Sequence, residues 1–301
     1  MLPNVVPVLI GTYFGGSLLV VAFPTRLSCI QRCMTTLRIA PSTALLIAVL
    51  LMLGSGIVPD TYAQTGASPE VPTRPATSTV ADANLHYVAG GSTMLYRGPS
   101  EEAPLQRMPV RTPLHHLGCA DDWCRVRLED GELGYVAAEA LSNIWIHVDK
   151  AERRLHVYAG PEHVATYNAD FGPNVFSDKE RRGSLQSQDH WRTPEGLFHI
   201  VRLNPNSQYY KALVLDYPGR EDAERGLELG VISNAEYEAI IEAHDERRMP
   251  PMSTDLGGWI EIHGDGTGAA TTWTRGCVAL HNTDLDEVWD YAAVGTPVLI
   301  R

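Results

Sequence analysis

The segment Thr254 to Trp289 (TDLGGWIEIHGDGTGAATTWTRGCVALHNTDLDEVW) constrains this chain more than any other. Trp259 to His263 alternates as a half-buried strand does, so His263 arrives at a strand end, where a rigid element aims its side chain. Gly264, Gly266 and Gly268 make a pliable loop, and Thr274-Arg275-Gly276-Cys277 leads into a second short strand, Val278 to Leu280. A strand, a loop and a strand predict an antiparallel pair with the histidine beside the cysteine. A thiol needs that neighbour if imidazole is to take its proton. Arg275 adds positive charge that favours thiolate. Gly276 lacks a β-carbon, so the amides of Gly276 and Cys277 can approach a developing oxyanion. Singly, a strand cysteine is a small core residue and a histidine a surface or core one. Basic neighbour, glycine approach and flanking strands together fit one mechanism, a cysteine nucleophile activated by a histidine base.

The elements around this segment read as mainly β. Residues 143–301 open on the alternating strands IWIHVD and RRLHVYA, continue through a long polar loop to TPEGLFHIVRL, and stay β with one exception. From Asn234 to Arg248 the residues Tyr237, Ile240, Ile241 and His244 recur at helical spacing, with Asn234 as N-cap and Pro250 as a stop. One peripheral helix on a β domain is the expectation.

Residues 85–142 carry short apolar runs broken by Gly-Gly, Arg-Gly-Pro and Glu-Asp-Gly, the punctuation of a small all-β unit. Within it, Trp123 to Val136 reads as two strands joined at Asp130-Gly131. The stretch resembles a bacterial SH3-like domain through Arg97 to Ser100, then Trp123, Val126, Asp130, Gly131, Gly134, Tyr135 and Val136. That resemblance implies a small barrel that binds cell-wall peptides or glycans, or one that only positions the next domain. Cys119 and Cys124 flank a turn, which leaves open a cross-strand disulfide, two free thiols, or a metal site with His115 and His116 nearby.

Two apolar stretches open the chain, Val5 to Phe23 and Ile39 to Val58. Arg38, the run Leu45 to Leu53, and Thr61 and Ala63 before Gln64 match the charged, apolar and cleavage regions of a secretory leader, so residues 1–63 are expected to be one, with Met34 as an alternative start. Two membrane-spanning helices are the competing reading. No cysteine follows a lipobox-like tripeptide. Residues 64–84, rich in Pro, Thr, Ser and Ala, have the composition of a disordered linker. The expectation is an exported protein of the periplasm or cell envelope, membrane-anchored if the leader is retained. The whole chain of 301 residues has a formal net charge of −12, although residues 1–63 hold three arginines against one acid. Such a chain lacks the basic field that nucleic acid requires, so no nucleic-acid partner is expected.

The catalytic segment resembles the YkuD family of L,D-transpeptidases. The resemblance rests on His263-Gly264 and Thr274-Arg275-Gly276-Cys277, on Thr193-Pro194-Glu195-Gly196 upstream, and on Val294-Gly295-Thr296-Pro297-Val298 downstream. Within the family the YafK-like branch is most similar, through Leu256-Gly257-Gly258, Ala279 and the Asn206-Ser207 and Tyr217-Pro218 pairs. The resemblance implies residues 143–301 as a β-rich catalytic domain, with Cys277 as nucleophile and His263 as base. Gly276, Arg275, Thr274 and Gly264 would line the oxyanion and substrate site, and no cofactor or metal is called for. The implied substrate is a peptidoglycan stem peptide. The acyl-enzyme passes to the amine of a second stem, to a lysine of an envelope protein, or to water, and a carbapenem is the implied covalent inhibitor. The alternatives are a hydrolase releasing wall-attached protein or D-alanine, and a catalytically silent wall-binding protein. One departure bears on substrate binding. Where many family members place an arginine two residues after the cysteine this chain has Ala279, so Arg275 or Lys211 is expected to supply the cation. His281, before Asn282 at a strand end, is the poorer candidate for the base.

Overall fold

A computed structural model describes residues 84–301. The expectations for the leader, and for all but the last residue of the linker, fall outside the described residues. Among the described residues no helix is long and apolar enough to cross a membrane.

The first sheet holds β1 (Leu85–Val88), β2 (Thr93–Tyr96), β3 (Pro104–Met108), β4 (Pro113–Ala120), β5 (Trp123–Arg127), β6 (Leu133–Ala137) and β7 (Leu141–Ser142), in the order β3-β2-β6-β5-β4-β1-β7. The expected hairpin forms, with β5 and β6 antiparallel in a register that runs from Trp123 opposite Ala137 to Arg127 opposite Leu133. Alternation then sends Val126 and Val136 inward with Val88, Leu95 and Leu114, each fully buried. Each such side chain contributes about 1.5–3 kcal/mol on leaving water. Cys119 and Cys124 face each other across β4 and β5 and are joined as a disulfide.

The second sheet holds β8 (Ile144–Asp149), β9 (Arg154–Ala159), β10 (Glu162–Asn168), β11 (Gly196–Ser207), β12 (Tyr210–Leu215), β13 (Glu261–His263), β14 (Val278–Ala279) and β15 (Pro297–Ile300), in the order β10-β9-β8-β15-β11-β12-β13-β14. β11 is long because it serves two partners. Gly196 to His199 pairs with β15, and from Ile200 onward the strand pairs with β12, with register shifts between Ile200 and Arg202 and between Asn204 and Ser207. Such a bulge bends a strand and increases its twist. Ile146, Leu155, Phe171, Ile200, Leu213 and Val298 fill the core.

The described residues hold three α-helices, where one was expected: α1 (Arg220–Glu228) and α2 (Asn234–Asp245), which pack on each other around Ala223, Ile240 and Leu256, and α3 (Asn282–Tyr291), which packs on the core of this sheet. α2 is the expected one, although its N-cap is Ser233, which exchanges hydrogen bonds with Glu236 in a capping box. α3 is only ten residues long and presents just two buried side chains, Leu285 and Val288. So short an apolar stripe is indistinguishable from a strand by periodicity.

The two sheets meet directly. The Tyr87 hydroxyl donates to the Ile144 carbonyl at 2.8 Å, the Gly90 amide donates to the Val294 carbonyl at 2.8 Å, and Arg111 is ion-paired with Asp216 at 2.8 Å.

Candidate active site

β13 and β14 are parallel, with Ile262 opposite Val278 and His263 opposite Ala279. This corrects the antiparallel pairing expected from the sequence. A parallel pair needs a crossover of a dozen or more residues, and 264–277 supplies one as irregular chain. The crossover is held from below by a residue the sequence reading missed. Asp170 pairs with Ala279 through the backbone, and its carboxylate accepts from the Thr267 and Thr271 amides at 2.6 and 2.7 Å and from the Trp273 indole at 2.8 Å. Burial would raise the Asp170 pKa, but these donors hold it below its ordinary value. The sequence signal was slight, an acid two residues beyond the end of β10 in Asn168-Ala169-Asp170-Phe171.

Ile262, Val278 and Leu280 point into the core. Side chains alternate along strands, so Glu261, His263, Cys277 and Ala279 share the opposite face. Continuing the register one step back sets Cys277 alongside Glu261, one step from His263. Histidine and cysteine thus reach one face of adjacent strands by a different route from the one expected. The two side chains are not hydrogen-bonded to each other. The thiol donates to the Trp259 carbonyl at 3.5 Å. Trp259 holds the left-handed conformation (φ 54°), costly for a bulky residue and of a kind that clusters at functional sites.

His263 is buried, and its Nδ1 lies 2.7 Å from the Gly264 carbonyl. A carbonyl only accepts, so Nδ1 carries the hydrogen and Nε2 is the basic nitrogen. The ring stacks on Tyr209 at 4.5 Å and meets Trp273 edge-on at 6.0 Å. Burial lowers its pKa below the usual imidazole value, against the upward pull of the Gly264 carbonyl, Asp265 and Asp170. Gly264 has no room for a side chain, since a β-carbon there would lie 2.5 Å from Asn282 Oδ1.

Cys277 is half-buried, and enclosure of its sulfur, with the Glu261 carboxylate beside it, pushes the thiol up to about 12. The Glu261 amide and the Lys179 ammonium act in the opposite sense. Arg275, expected to favour the thiolate, instead lies over the Trp191 ring at 4.7 Å, and Lys179 is the cation that acts on the sulfur. Lys179 is buried, donates to the His190 carbonyl at 2.8 Å, and burial lowers its pKa to about 8. It sits in a polar loop that gave no periodic signal. With Trp191, Trp259 and Arg275 it lines a cleft of about 280 Å³.

Thr274 staples the turn before Cys277. Its hydroxyl donates to the Cys277 carbonyl at 2.6 Å and accepts from the Gly276 amide at 3.3 Å. Gly276 (φ 118°) lies in a region that favours glycine, and a β-carbon there would meet the Arg192 carbonyl at 2.8 Å. Lys211 is ion-paired with Asp286 at 2.6 Å and lies over the Trp289 ring. Ala279 is buried opposite His263, so no cation stands there. His281 is exposed, serves as the N-cap residue of α3, and bonds the Thr283 hydroxyl at 2.9 Å.

Comparison with known proteins gives a consistent picture. The model of the L,D-transpeptidase catalytic domain (YkuD) matches residues 143–300, and that of a bacterial SH3 domain matches residues 89–143. YafK of Escherichia coli (strain K12), whose name assigns it provisionally to the L,D-transpeptidases, is 26% identical over 161 residues, 50% of this chain and 47% of that protein. The chain thus spans about half the length of the curated relatives it matches. Among solved structures, Bd1075 of Bdellovibrio bacteriovorus is 23% identical (TM-score 0.32), covering 53% of this chain and 47% of that one. An L,D-transpeptidase of Mycobacterium smegmatis is 12% identical (TM-score 0.32), covering 75% and 86%.

Proposed function

The chain belongs to the YkuD family of L,D-transpeptidase catalytic domains, and from that premise we propose that Cys277 and His263 carry out acyl transfer on a peptidoglycan stem peptide. The observation that carries this reading is the tautomer of His263. With Nδ1–H spent on the Gly264 carbonyl, the basic Nε2 belongs to a ring on the strand face that Cys277 also occupies.

In the proposed reaction the Cys277 sulfur attacks the carbonyl of the third residue of the stem while Nε2 of His263 takes the thiol proton. The imidazolium returns that proton to the leaving D-alanine amine, and a thioester remains on Cys277. The amides of Gly276 and Cys277 stabilise the oxyanion, for which Gly276 N–H exchanges its long bond to Thr274 for one to substrate. The thiol is held well above neutrality and the imidazole below its ordinary value, so the resting pair is neutral and the base acts on a protonated thiol. Gly264 fixes the ring and Thr274 fixes the turn, while Arg275 and Lys179 line the cleft that receives the stem. A second stem, an envelope-protein lysine or water completes the turnover. The proposal extends to the domain division read from the sequence, with 85–142 as the SH3-like module and 143–301 as the catalytic domain, and to an exported location.

Mass spectrometry of purified stem peptides after incubation with the protein tests this reading. Loss of D-alanine with a new crosslinked or hydrolysed product is expected from the wild type and none from Cys277→Ala. A carbapenem is expected to add its mass at Cys277. An adduct of equal yield on Cys277→Ala would defeat the assignment.

A further inference from the structure

A second cavity, of about 390 Å³, opens at the junction of the two sheets, away from Cys277. It is lined by Arg111 from the SH3-like module and by His199, Asp216, His244 and Arg247 from the catalytic domain. Arg111 is nine-tenths buried, and only its Nη1 has a partner, the Asp216 carboxylate at 2.8 Å. Its Nε and Nη2 are buried without a hydrogen-bond partner among the described residues. Those two nitrogens form the edge of a guanidinium that grips a carboxylate with two parallel bonds. Leaving such an edge buried and unsatisfied is costly.

The charge count points the same way. Arg247 donates to the Val110 carbonyl and the Thr112 hydroxyl, and among the described residues no carboxylate lies within ion-pair distance of it. Burial lowers the Arg111 pKa, Asp216 raises it, and repulsion from Arg247 lowers it again. Two guanidinium groups close enough to repel therefore have one ion pair between them, that of Arg111 with Asp216, a buried carboxylate that His199 and His244 also face at 3.3 and 3.7 Å. Of the remaining charges lining the cavity Arg220 pairs with Asp245, Glu195 with Lys150 and Asp222 with Arg225, which leaves Glu221 as the one lining acid without an ion pair among the described residues. Both arginines also hold the left-handed backbone conformation, at φ 67° and 56°, a strain that recurs at ligand clamps. Arg111 and His199 also line an adjoining chamber of about 160 Å³, walled by Ile144 and Pro297. That chamber suits a small apolar group.

We propose that this junction is a binding site for a small carboxylate-bearing ligand with a short apolar side chain, gripped by the free edge of Arg111 with Arg247 beside it. Because its walls come from both modules, the ligand clamps the SH3-like unit to the catalytic unit. The site is independent of the chemistry at Cys277.

Calorimetric titration of the full chain with alanyl-alanine, in its L,L and D,D forms, tests the assignment, with alanyl-alanine amide and inorganic phosphate as comparison probes. Saturable binding of the free dipeptide in at least one form is expected, with none of the amide. Arg247→Gln should weaken it by about tenfold or more, as loss of a charged hydrogen bond does, and Arg247→Lys should recover part of that loss. Because Arg247 also bonds the SH3-like module, ring signals of the wild type provide a second reading. Those of His199 and His244 are expected to shift on titration. Equal binding of the amide, binding of phosphate alone, unchanged affinity in Arg247→Gln, or shifts confined to His263 would each overturn the proposal.

Discussion

Around Cys277 burial prevails over charge, whereas around Asp216 charge prevails over burial. The thiol is pushed up to about 12 and the imidazole of His263 is pulled down, so both rest neutral with one lysine as the opposing cation. Asp216 is more deeply enclosed, and burial alone would raise its pKa. The ring and amide of His199 together with Arg111 overrule that and hold it below the ordinary carboxylate value. The difference lies in donor density. Where several donors converge on a buried acid it stays ionised, and where few do the acid keeps its proton. The first arrangement suits a proton transfer that happens only as a bond forms, and the second suits a permanent clasp between modules.

Removing the sulfur is the most severe way to break the first cluster. Cys277→Ala is expected to abolish acylation by stem peptide and carbapenem entirely while leaving the melting transition unchanged, as intact-mass spectrometry and calorimetry would report. Removing the proposed base comes next. His263→Ala should slow acylation by roughly 10²–10⁴-fold, the usual worth of a positioned general base.

The same pair makes a statement about pH. The proposed base, His263, must be unprotonated to work and its pKa is lowered, so the wild-type rate should rise with pH through a midpoint below the unperturbed value of about 6.5 and then level off. A preformed thiolate and imidazolium would instead stay reactive well below that midpoint. Alkylation rate against pH, in wild type and His263→Ala, separates the two. Identical profiles in both proteins would mean that His263 does not control the thiol.

Breaking the second cluster should cost stability before it costs chemistry. Asp216→Asn leaves Arg111 buried beside Arg247 with its carboxylate gone, which by analogy with other broken buried pairs costs about 3–5 kcal/mol. Denaturant melts check this. In the wild type the folded pKa of Asp216 lies below its unfolded value of about 3.9, so its contribution is complete above that value and is lost as pH falls through the folded pKa. The acid limb of the stability curve should therefore flatten in Asp216→Asn. The smallest effect is expected at the turn. Thr274→Val removes one buried hydroxyl that bonds the Cys277 carbonyl, worth about 1 kcal/mol, and should lower the acylation rate more than the melting temperature.

What could be read along the chain was local. The hairpin at Asp130-Gly131, the helix after Ser233, the cysteine on its Thr-Arg-Gly turn and the histidine at a strand end each follow from spacing within some fifteen residues. The mainly β class followed from the same patterns, because alternation and turn residues report which face of a strand is buried. The short helices α1 and α3 escaped, their apolar stripes being too brief to distinguish period 3.6 from period 2.

Tertiary structure alone decided how those pieces meet. Whether β14 lies parallel or antiparallel to β13 depends on where the crossover can be anchored, and that anchor, Asp170, stands about a hundred residues earlier in the chain. The cation that acts on the thiol is Lys179 and not the adjacent Arg275, because Arg275 finds a better partner in the face of Trp191. The clasp of Arg111 on Asp216 joins residues 105 positions apart, from two sheets. Local patterns record only which side of an element is apolar. Which apolar sides fit together, and which charges are buried as a result, is settled by packing between segments distant in sequence.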